Sequence, residues 1–525
     1  MGLARVACRA QVGLSAPPVS VEVHLGAGLP VFSIVGLPAA AVRESKERVR
    51  AALTNSGFEF PAGRITVNLA PADLPKDGGR FDLAIALGIL AASGQAPGER
   101  LDGHEFLGEL GLNGALKGVC GVLPAVAAAG TACVIAPSDN RNELALAAGS
   151  GARCAESLAQ VCGYLRGELL LTAPAHAPDV SLAAQGVLAG TLDAQADFDL
   201  SDVQGQAQAK RALLVAAAGG HGLLFVGPPG CGKSMLAQRL ASVLPPLTDS
   251  EFLEVAGVAS VSGQWARSGV MSRRRSMRAP HHTSSASAII GGGPRAQPGE
   301  ITLAHHGVLF LDELPEFDRR VLEALREPLE SGVVSVSRAN MRAEYPARFL
   351  LVAAMNPCPC GYFGDAERAC RCTSQQIAQY RGRLSGPLLD RIDLRVGLRR
   401  VSQLRLPGRA LASAMTGTAG NGVADRATGE SRTAAERVAA TRARQLRRGK
   451  CLNAHLTPRS IGRDELLVSA EAAALLEAVQ HKMQWSARSM HSALRVSRTI
   501  ADLGESTTIE QEHIAEAVQL RRAFD

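Results

Sequence analysis

One short motif constrains the fold of this chain more than any other feature. Residues 227 to 234 read Gly-Pro-Pro-Gly-Cys-Gly-Lys-Ser, between the apolar run GLLFV and a stretch with the pattern of a helix. A glycine-rich turn between strand and helix directs backbone N–H groups toward phosphate oxygens, and the helix N-terminus adds partial positive charge. The motif therefore predicts a parallel α/β core that binds nucleotide phosphates.

The residue types in this motif predict individual roles. Lys233 is expected to reach the terminal phosphates, and the hydroxyl of Ser234 is expected to ligate Mg²⁺. A chance glycine-rich turn is the alternative, which the Lys-Ser pair at the start of a helix disfavours. The loop that would surround the phosphates comprises Gly227, Pro228, Pro229, Gly230, Cys231, Gly232, Lys233, Ser234 and Met235.

A pair of acidic residues follows a later apolar run. The segment GVLFLDELPEF ends a buried-strand pattern with Asp312 and Glu313. Ligands of such folds bind where the carboxyl ends of the parallel strands meet. We therefore expect Asp312 to hold Mg²⁺ through water and Glu313 to deprotonate the attacking water. An acidic pair after an apolar run is common by itself, and the phosphate motif is what favours this interpretation.

A third apolar run, FLLVAAMNP, ends at Asn356. An amide beside the terminal phosphate can position a water molecule without adding charge, and this is the role that we expect for Asn356. The alternative is a strand-ending asparagine in an Asn-Pro turn, which is a frequent pair.

Length, composition and charge limit the class of protein that this chain can be. The chain has 525 residues, 46% of them hydrophobic, and a net charge of +7 that does not by itself indicate nucleic acid. The beginning of the chain has no signal-peptide pattern, and its most apolar stretch is shorter than the ~20 residues that a spanning helix needs. We therefore expect a cytoplasmic protein without a membrane partner.

Changes in composition along the chain predict its domains. Short apolar runs alternate with Gly-Leu-Pro turns in the first part, where AAVRESKERVRAALTNSG predicts an amphipathic helix that ends at Gly57. The later part is helical throughout. The expected organisation is an α+β domain at 1–165, a linker at 166–198, an α/β core at 199–400, a second linker or loop at 401–431 and a helical domain at 432–525.

Four cysteines lie close together directly after Asn356. Cys358, Cys360, Cys370 and Cys372 form two Cys-x-Cys pairs in the segment 358–372. Cytosolic cysteines stay reduced, so such a cluster favours metal binding over disulfides, and four thiolates suit a structural Zn²⁺ site. Reduced structural thiols or a redox switch are the alternatives. The pairs His281-His282 and His305-His306 could form a second metal site, but loop residues near nucleotide or DNA are the favoured interpretation.

Together these segments resemble a known family. The motifs above, AMNPCPCG, LSGPLLDRIDL, RAPHHTSS, LREPLESG and RSMHSALRVSRTIADL are similar to the magnesium-chelatase-like branch of the AAA+ ATPases, and more closely to the ComM (YifB) family, over nearly the whole chain. The resemblance implies an α/β P-loop AAA+ core, an N-terminal α+β Lon/S5-like domain and a C-terminal helical lid. It also implies a hexameric DNA branch-migration motor that acts in DNA uptake and recombination.

The resemblance assigns further site residues. Asn356 matches sensor 1, Arg391 matches the arginine finger that acts on the ATP of the neighbouring subunit, and Arg488 matches sensor 2, with Arg495 as second choice. A forked cation at the transferring phosphoryl is worth ~10³–10⁵ in rate. The residues alone leave a plain alternative for Arg391, an ion pair with Asp390 or Asp393.

The N-terminal segment resembles the S5-like domain of Lon proteases, through PKDG at 75–78 and GELGLNG at 108–114. Those proteases use a serine nucleophile and a lysine base. Arg80 stands in the position of the serine, and Val122 stands about where the lysine would be. We therefore expect an inactive domain that serves assembly or DNA contact.

Two basic runs predict contacts with phosphate backbones. The first carries Arg267, Arg273, Arg274, Arg275 and Arg278, in a part of the ATPase where relatives insert hairpins that face a central pore. The second, residues 431–450, has seven cations against Glu436. A solvated basic loop and a charged exposed helix are the alternatives.

The sequence therefore predicts an ATP- and Mg²⁺-dependent homo-oligomeric ring that moves on branched or duplex DNA, with recombination proteins as further partners. A chelatase-type motor subunit is one alternative, although the chain has no Asp-x-Ser-x-Ser motif. A protease-like remodeller is another, and the missing Ser–Lys pair disfavours it.

Overall fold

The computed structural model describes residues 2–147, 151–174, 198–265, 271–293, 296–338, 341–400, 429–461 and 466–523. The predicted linkers fall mostly outside these ranges, at 175–197 and 401–428. None of the helices in the described part of the chain is long and apolar enough to cross a bilayer.

The N-terminal module is built on a seven-stranded mixed sheet in the order β3-β4-β2-β1-β5-β8-β9. A short hairpin, β6–β7, lies apart from it. The strands are β1 (Gly2–Arg9), β2 (Pro18–Gly26), β3 (Val31–Val35), β4 (Arg64–Ala70), β5 (His104–Phe106), β6 (Glu109–Leu110), β7 (Leu116–Lys117), β8 (Cys133–Pro137) and β9 (Arg153–Ala155). The helices are α1 (Ala40–Asn55), α2 (Asp82–Ala92), α3 (Val122–Ala128), α4 (Arg141–Leu144) and α5 (Leu158–Arg166).

Local sequence explains two of these helices. Helix α1 ends where Gly57 adopts the left-handed conformation with φ of 81°, which confirms the predicted amphipathic helix and its glycine stop. Helix α2 reads DLAIALGILAA and is buried over nearly its whole length, because it packs on β1 and β2 at the centre of the sheet. A helix that is apolar on all sides is typical of such a fully covered position.

The predicted α/β core at 199–400, here called the ATPase module after the family that the sequence resembles, contains a five-stranded parallel sheet in the order β11-β14-β17-β10-β18. Its strands, with those of two hairpins, are β10 (Leu223–Val226), β11 (Met277–Arg278), β12 (Gly291–Gly292), β13 (Gln297–Pro298), β14 (Val308–Leu311), β15 (Val333–Arg338), β16 (Met341–Pro346), β17 (Leu350–Met355) and β18 (Leu394–Gly397). The helices are α6 (Ala207–Gly219), α7 (Lys233–Val243), α8 (Asp249–Val261), α9 (Ala286–Ile290), α10 (Glu300–Leu303), α11 (Arg319–Ala324), α12 (Pro328–Ser331), α13 (Ser374–Arg381) and α14 (Gly386–Leu389).

Sheet order positions the site. The strands β14, β17 and β10 are neighbours in the sheet, and their residues are buried in unbroken apolar runs, as expected for a sheet with both faces covered. Because they run in parallel, the segments that follow them meet at one edge. The phosphate loop, the acidic pair and Asn356 are those segments.

The C-terminal part is helical, as its sequence predicts. It comprises α15 (Glu430–Gly449), α16 (Pro458–Ile461), α17 (Ala470–Met483), α18 (Ala487–Leu503) and α19 (Gln511–Gln519). One of its attachments to the α/β core is buried Asp393, which accepts a hydrogen bond from Ser492 Oγ at 2.5 Å and lies 2.9 Å from Nδ1 of His221. His221 in turn reaches Thr499 Oγ1 at 2.8 Å.

This attachment lies at the amino edge of the parallel sheet. Asp393 directly precedes β18, and His221 lies just before β10, whose first residue Leu223 pairs with Leu394. The phosphate loop leaves the opposite end of β10. Helix α18 therefore docks at the end of the sheet away from the phosphate loop of the same chain, whereas α15 packs on α6 and α7.

The N-terminal module docks on helix α8 of the ATPase module. The N–H of Gly121 donates to the carbonyl of Ser260 at 3.1 Å, and the hydroxyl of Ser260 donates to the buried carboxylate of Glu143. Leu123 packs in one hydrophobic cluster with Phe252 and other residues of the ATPase side. This contact assigns the module a place in the subunit, whereas the expected role in assembly or DNA contact stays a prediction.

Candidate active site

The phosphate loop connects β10 to α7. Gly230 and Gly232 have φ angles of 77° and 94°, in the left-handed region that glycine adopts without a steric penalty. Helix α7 begins at Lys233. The loop therefore has the strand–turn–helix context that the motif predicts, with the N-terminal N–H groups of α7 at the mouth of the loop.

Lys233 is held inside the loop. Its Nζ donates to the carbonyl oxygens of Gly227 at 2.7 Å and Pro228 at 3.0 Å, and to Oδ1 of Asn356 at 3.0 Å. Burial lowers the pKa of Lys233, while the carboxylates of Asp312 and Glu313 act in the opposite direction. The structure thus brings the predicted lysine and the predicted asparagine into direct contact, although 123 positions separate them.

Ser234 and Asp312 also meet. The hydroxyl of Ser234 donates to Oδ2 of Asp312 at 2.6 Å. Two hard oxygen atoms therefore converge at the sheet edge, and this is the ligand type that Mg²⁺ prefers. The donor set fits the predicted magnesium ion.

Glu313 has an unusual backbone. Its φ is 53°, and its N–H donates to Oδ1 of Asp312 at 2.9 Å. A left-handed conformation costs a residue other than glycine ~1–2 kcal/mol, and such strain tends to occur at functional sites. The turn leaves the Glu313 side chain half exposed beyond the end of β14.

Glu313 has a partner that was not predicted from the sequence. Nδ1 of His282 lies 3.3 Å from Oε2 of Glu313, and the rings of His281 and His282 are 4.2 Å apart between centroids. The signal was the position of the histidine pair shortly after β11, which neighbours β14 in the sheet. This contact agrees with the favoured interpretation of loop residues near the nucleotide.

The second histidine pair lies elsewhere. Nε2 of His305 is 2.9 Å from Oε2 of Glu254, and Nε2 of His306 is 2.8 Å from the same oxygen. Nδ1 of His305 accepts the N–H of Arg348 at 3.1 Å, so Nε2 carries the proton of the neutral ring and offers no lone pair to a metal. Burial lowers the pKa of His305 to about 4, which keeps the ring neutral. This chemistry fits a hydrogen-bonded brace on α8.

The two family-derived arginines meet at a carboxylate that was not predicted. Arg391 donates to Oε2 of Glu330, and Nη2 of Arg488 lies 3.4 Å from Oε1 of the same residue. Arg391 also donates to the carbonyl of Pro387 at 2.8 Å. Neither Asp390 nor Asp393 is the ion-pair partner of Arg391 in the structure.

Both arginines lie away from the phosphate loop of their own chain. Arg391 lies three positions before β18, at the amino edge of the sheet. Arg488 lies in the first turn of α18, one turn before Ser492, which is bound to Asp393 at the same edge. Arg495, the second choice for sensor 2, donates to the carbonyl of Ala454 within the helical part.

The four cysteines form a compact cluster. The Sγ atoms of Cys358, Cys360 and Cys370 lie 3.4 to 3.6 Å apart, and Cys372 Sγ accepts the N–H of Cys360 at 3.4 Å. Sulfurs around a tetrahedral zinc with Zn–S bonds of ~2.3 Å lie ~3.8 Å apart. The described cysteines form no disulfide. The residues fit a closed four-thiolate metal site.

The cysteine loop rests on the phosphate loop. A Cβ atom at Gly361 would approach Cδ of Pro229 to 2.6 Å, so only glycine allows this contact. Arg400 connects the two loops, since its Nη2 is 3.5 Å from the carbonyl of Pro229 and its Nε is 3.5 Å from Oδ2 of Asp365. The cluster is thus a direct neighbour of the nucleotide site.

The remaining loop residues have supporting positions. Cys231 is buried, and its carbonyl accepts the side-chain amide of Gln206 at 3.3 Å. Burial raises the pKa of its thiol, which disfavours a reactive thiolate there. Met235 is exposed on the first turn of α7.

Most arginines of the first basic run form ion pairs within the chain, and their contact with a phosphate backbone stays a prediction. Arg275 donates to Glu251 at 2.7 Å, and Arg278 forms a bidentate pair with Glu300 at 2.6 and 2.7 Å. Arg273 lies 2.7 Å from Asp249. These guanidinium groups brace helices α8 and α10, Arg274 is exposed, and Arg267 lies outside the described residues.

The second basic run is divided in a similar way. Arg448 forms a bidentate pair with Asp502 at 2.8 Å, and Arg444 lies 3.0 Å from Glu505, so these two hold α15 against α18. Arg442 donates to the carbonyl of Ala217 at 2.9 Å. The exposed cations of this run are Arg432, Arg437, Arg447 and Lys450.

In the N-terminal module, Arg80 is buried at the position expected for a Lon-type serine. Its Nη2 donates to the carbonyl of Cys120 at 3.1 Å. Lys76, from the PKDG segment, is also buried, and its Nζ donates to the carbonyl of Gly36 at 3.1 Å. Neither side chain has the chemistry of a nucleophile there. The likeness to Lon proteases stays a prediction.

Comparison with known families identifies each module with one kind of protein. Residues 199–406 match the family model described as magnesium chelatase, subunit ChlI. Residues 21–140 match the model of subunit ChlI of Mg-chelatase, and residues 428–521 match the ChlI C-terminal model.

Individual relatives cover almost the whole chain. The chain is 45% identical to YifB of Escherichia coli over 530 residues, which span 99% of this chain and 97% of YifB. It is 46% identical to the competence protein ComM of Haemophilus influenzae, over 99% of this chain and 98% of that protein. The magnesium-chelatase 38 kDa subunit of Cereibacter sphaeroides is 28% identical over 30% of this chain and 53% of its own length. This chain belongs to the ComM/YifB family of magnesium-chelatase-like AAA+ proteins.

Proposed function

We propose that this protein is an ATP-hydrolysing ring, closed as a hexamer in the manner of its family, that moves on duplex or branched DNA. The observation that carries the proposal is the division of the site. Lys233, Ser234 and Asn356 converge at one edge of the sheet, whereas Arg391 and Arg488 lie at the other. Two arginines at the edge opposite their own chain's phosphate loop suit the nucleotide of a neighbouring copy.

Each subunit would supply most of the site. Backbone N–H groups of the phosphate loop and Lys233 would bind the phosphates, and Ser234 with Asp312 would hold Mg²⁺. The ion, when bound, neutralises charge on the β- and γ-phosphates. Glu313 would accept a proton from the water that attacks the γ-phosphorus as the bond to the ADP oxygen breaks, and Asn356 would orient that water.

The neighbouring copy would complete the site. Arg391 has a planar fork of donors that suits the γ-phosphoryl group, and Arg488 lies beside it on the same surface. Hydrolysis then depends on contact between copies, which closed rings provide for every subunit.

Two hairpins support the DNA part of the proposal. The β12–β13 and β15–β16 hairpins are adjacent, and Tyr345 OH of the second donates at 2.7 Å to the carbonyl of Ala296, which lies in the loop of the first directly before β13. Arg342 on the second hairpin is exposed. Such hairpins could track a phosphate backbone without reading bases. The printed name of the Haemophilus relative, a competence protein, agrees with a role in DNA uptake and recombination.

A chelatase-type ATPase is the second candidate. The family models that match this chain are those of a magnesium-chelatase subunit, and this observation favours it. Its relatives of that name cover only 30% of this chain, whereas ComM and YifB cover 99%. We therefore propose a DNA motor as the first candidate function and a chelatase-type ATPase as the second.

The substrate that stimulates hydrolysis separates these candidates. We expect linear, forked or four-way DNA to raise the ATPase rate of the full chain, with the four-way junction the strongest. The rate should not respond to a porphyrin with a chelatase partner or to unfolded protein. Stimulation by porphyrin alone among these additions would favour the chelatase, and stimulation by unfolded protein would favour a remodeller.

We further propose that the four cysteines bind one structural Zn²⁺. A four-thiolate site has no open coordination position, so the metal would fix the loop that packs on Pro229 and would take no part in hydrolysis. The whole set of contacts from Gly361 and Arg400 to the phosphate loop depends on that loop shape.

Metal analysis tests this site directly. The purified chain should contain about one zinc per chain, and Cys370→Ser should reduce this to nearly none and raise the KM for ATP. Cys120→Ser, which changes an exposed cysteine outside the cluster, should retain the metal. Full zinc content in Cys370→Ser, or none in the unmodified chain, would contradict the site.

A further inference from the structure

One carboxylate contacts both arginines on the surface that would face the neighbouring copy. Glu330 binds Arg391 through one oxygen and lies 3.4 Å from Arg488 through the other. The side chain of Arg391 is 11% exposed, whereas those of Glu330 and Arg488 are 58% and 43% exposed. The pair is therefore fixed on one side and open to an incoming partner on the other.

The contact competes with the role proposed for the arginines. Carboxylate and phosphate oxygens accept from the same guanidinium donors, and a group that binds Glu330 is engaged when a γ-phosphate approaches. The hydrogen bond from Arg391 lowers the pKa of Glu330, so the carboxylate is ionised at neutral pH. Release of the arginines must therefore break a charged contact.

Glu330 also lies at the base of a hairpin. It belongs to α12, which ends at Ser331, and Gly332 then leads directly into β15. The carbonyl of Gly332 accepts the N–H of Ala347 at 2.8 Å, which closes the base of the β15–β16 hairpin. Glu330 is thus three positions from a strand of the hairpin that the DNA proposal uses.

We propose that Glu330 is a positioning residue that restrains Arg391 and Arg488 and connects their release to the β15–β16 hairpin. When a neighbouring copy presents ATP, the arginines transfer from Glu330 to the phosphates, and α12 with the hairpin base is freed to shift. The inference rests on the proposed function, because it requires the arginines to act on a neighbour.

The test compares three single substitutions in the full chain. Glu330→Gln keeps the size and removes the charge, Glu330→Asp keeps the charge, and Glu327→Gln removes a charge at an exposed position three residues earlier. The Glu327 side chain has no hydrogen bond or ion pair within the described part of the chain. The ATPase rate is measured against ATP concentration, with and without four-way DNA.

Glu330→Gln should raise kcat without DNA about two- to fivefold, the range that an exposed ion pair accounts for. KM for ATP should stay within about twofold, because the phosphate loop is remote from Glu330, and a smaller DNA stimulation ratio should accompany the higher basal rate. Glu330→Asp and Glu327→Gln should resemble the unmodified chain. A merely structural role would not raise kcat while KM stays unchanged.

Two results would overturn the inference. One is a Glu330→Gln chain with the same or lower kcat as Glu327→Gln. The other is a gain that persists when Arg391→Ala is combined with Glu330→Gln, since the gain must act through the arginine. Full activity of Arg391→Ala alone would instead show that the neighbour-acting arginine of the proposed function is wrong, whatever Glu330→Gln does.

Discussion

Glu313→Gln should bind ATP with nearly unchanged affinity and hydrolyse it ~10²–10⁴-fold more slowly, the range that a general base contributes. Affinity should persist because Lys233, Ser234 and Asp312 keep their contacts with one another and with the loop. The amide has the same shape and cannot accept the proton at neutral pH. The measurements are equilibrium binding of ATP and steady-state release of phosphate.

Glu316→Gln is the matched control for this prediction. It makes the same chemical change in the same turn, where the carboxylate pairs with Arg383 on the surface at 2.7 Å. We expect its kcat to stay within about twofold, since an exposed ion pair contributes little. Unchanged turnover in Glu313→Gln would remove Glu313 as the base, and equal losses in both chains would indicate a general effect of charge.

Arg391→Ala should reduce hydrolysis by ~10³–10⁵-fold, the range known for arginine fingers, with little change in ATP binding by the isolated subunit. Because the residue would act on the next copy, and we expect the subunits of a ring to hydrolyse ATP in coordination, mixing these subunits with unmodified ones should reduce activity more than in proportion to their fraction. Each altered subunit removes the arginine from one neighbouring site, and coordinated hydrolysis around the ring extends the loss of activity to further sites. The measurement is ATPase rate against mixing ratio at constant total chain.

Arg326→Ala is a suitable control for the mixing experiment. Arg326 pairs with Glu323, three positions earlier, at 2.5 Å. It belongs neither to the residues around the phosphate loop nor to the arginine pair at the opposite edge of the sheet. Its mixtures should retain full activity at all ratios. Strictly linear dilution by Arg391→Ala would contradict coordinated hydrolysis around a ring, since it is the result expected when every site acts independently.

The core of the site follows from sequence because short motifs determine it. The phosphate loop is defined by local glycine and lysine spacing, and the parallel order of apolar strands brings Asp312 and Asn356 to the same sheet edge. This prediction needs only the direction of the strands. The alternation of strands with helices along the chain indicates that direction. Contacts such as Lys233 with Asn356 are then expected.

Contacts that depend on packing between distant segments could not be derived in this way. Nothing local in LREPLESG indicates that Glu330 meets Arg391 and Arg488, which are 61 positions and more away. For the same reason the basic run itself does not reveal that Arg275 and Arg278 bind carboxylates of the same module. Charge runs reveal composition, whereas the fold decides which charges remain available to a partner.

The cysteine cluster could be predicted from the sequence only in part. Cysteine spacing and an expected reducing compartment favoured a closed thiolate site directly after Asn356. The contact of Gly361 with Pro229 was not visible in the sequence, because it depends on how the loop folds back over the neighbouring strand. This contact places the candidate metal site against the phosphate loop.

The central claim is that ATP is hydrolysed between two copies of the chain and that DNA promotes the reaction. The most direct test measures ATPase rate per subunit against chain concentration, with and without four-way DNA, while the mass of the assembly is followed in the same samples. We predict a low rate for the monomer, a steep rise as oligomers form and a further rise with DNA. A monomer that hydrolyses ATP at the full rate and does not respond to DNA would contradict the claim.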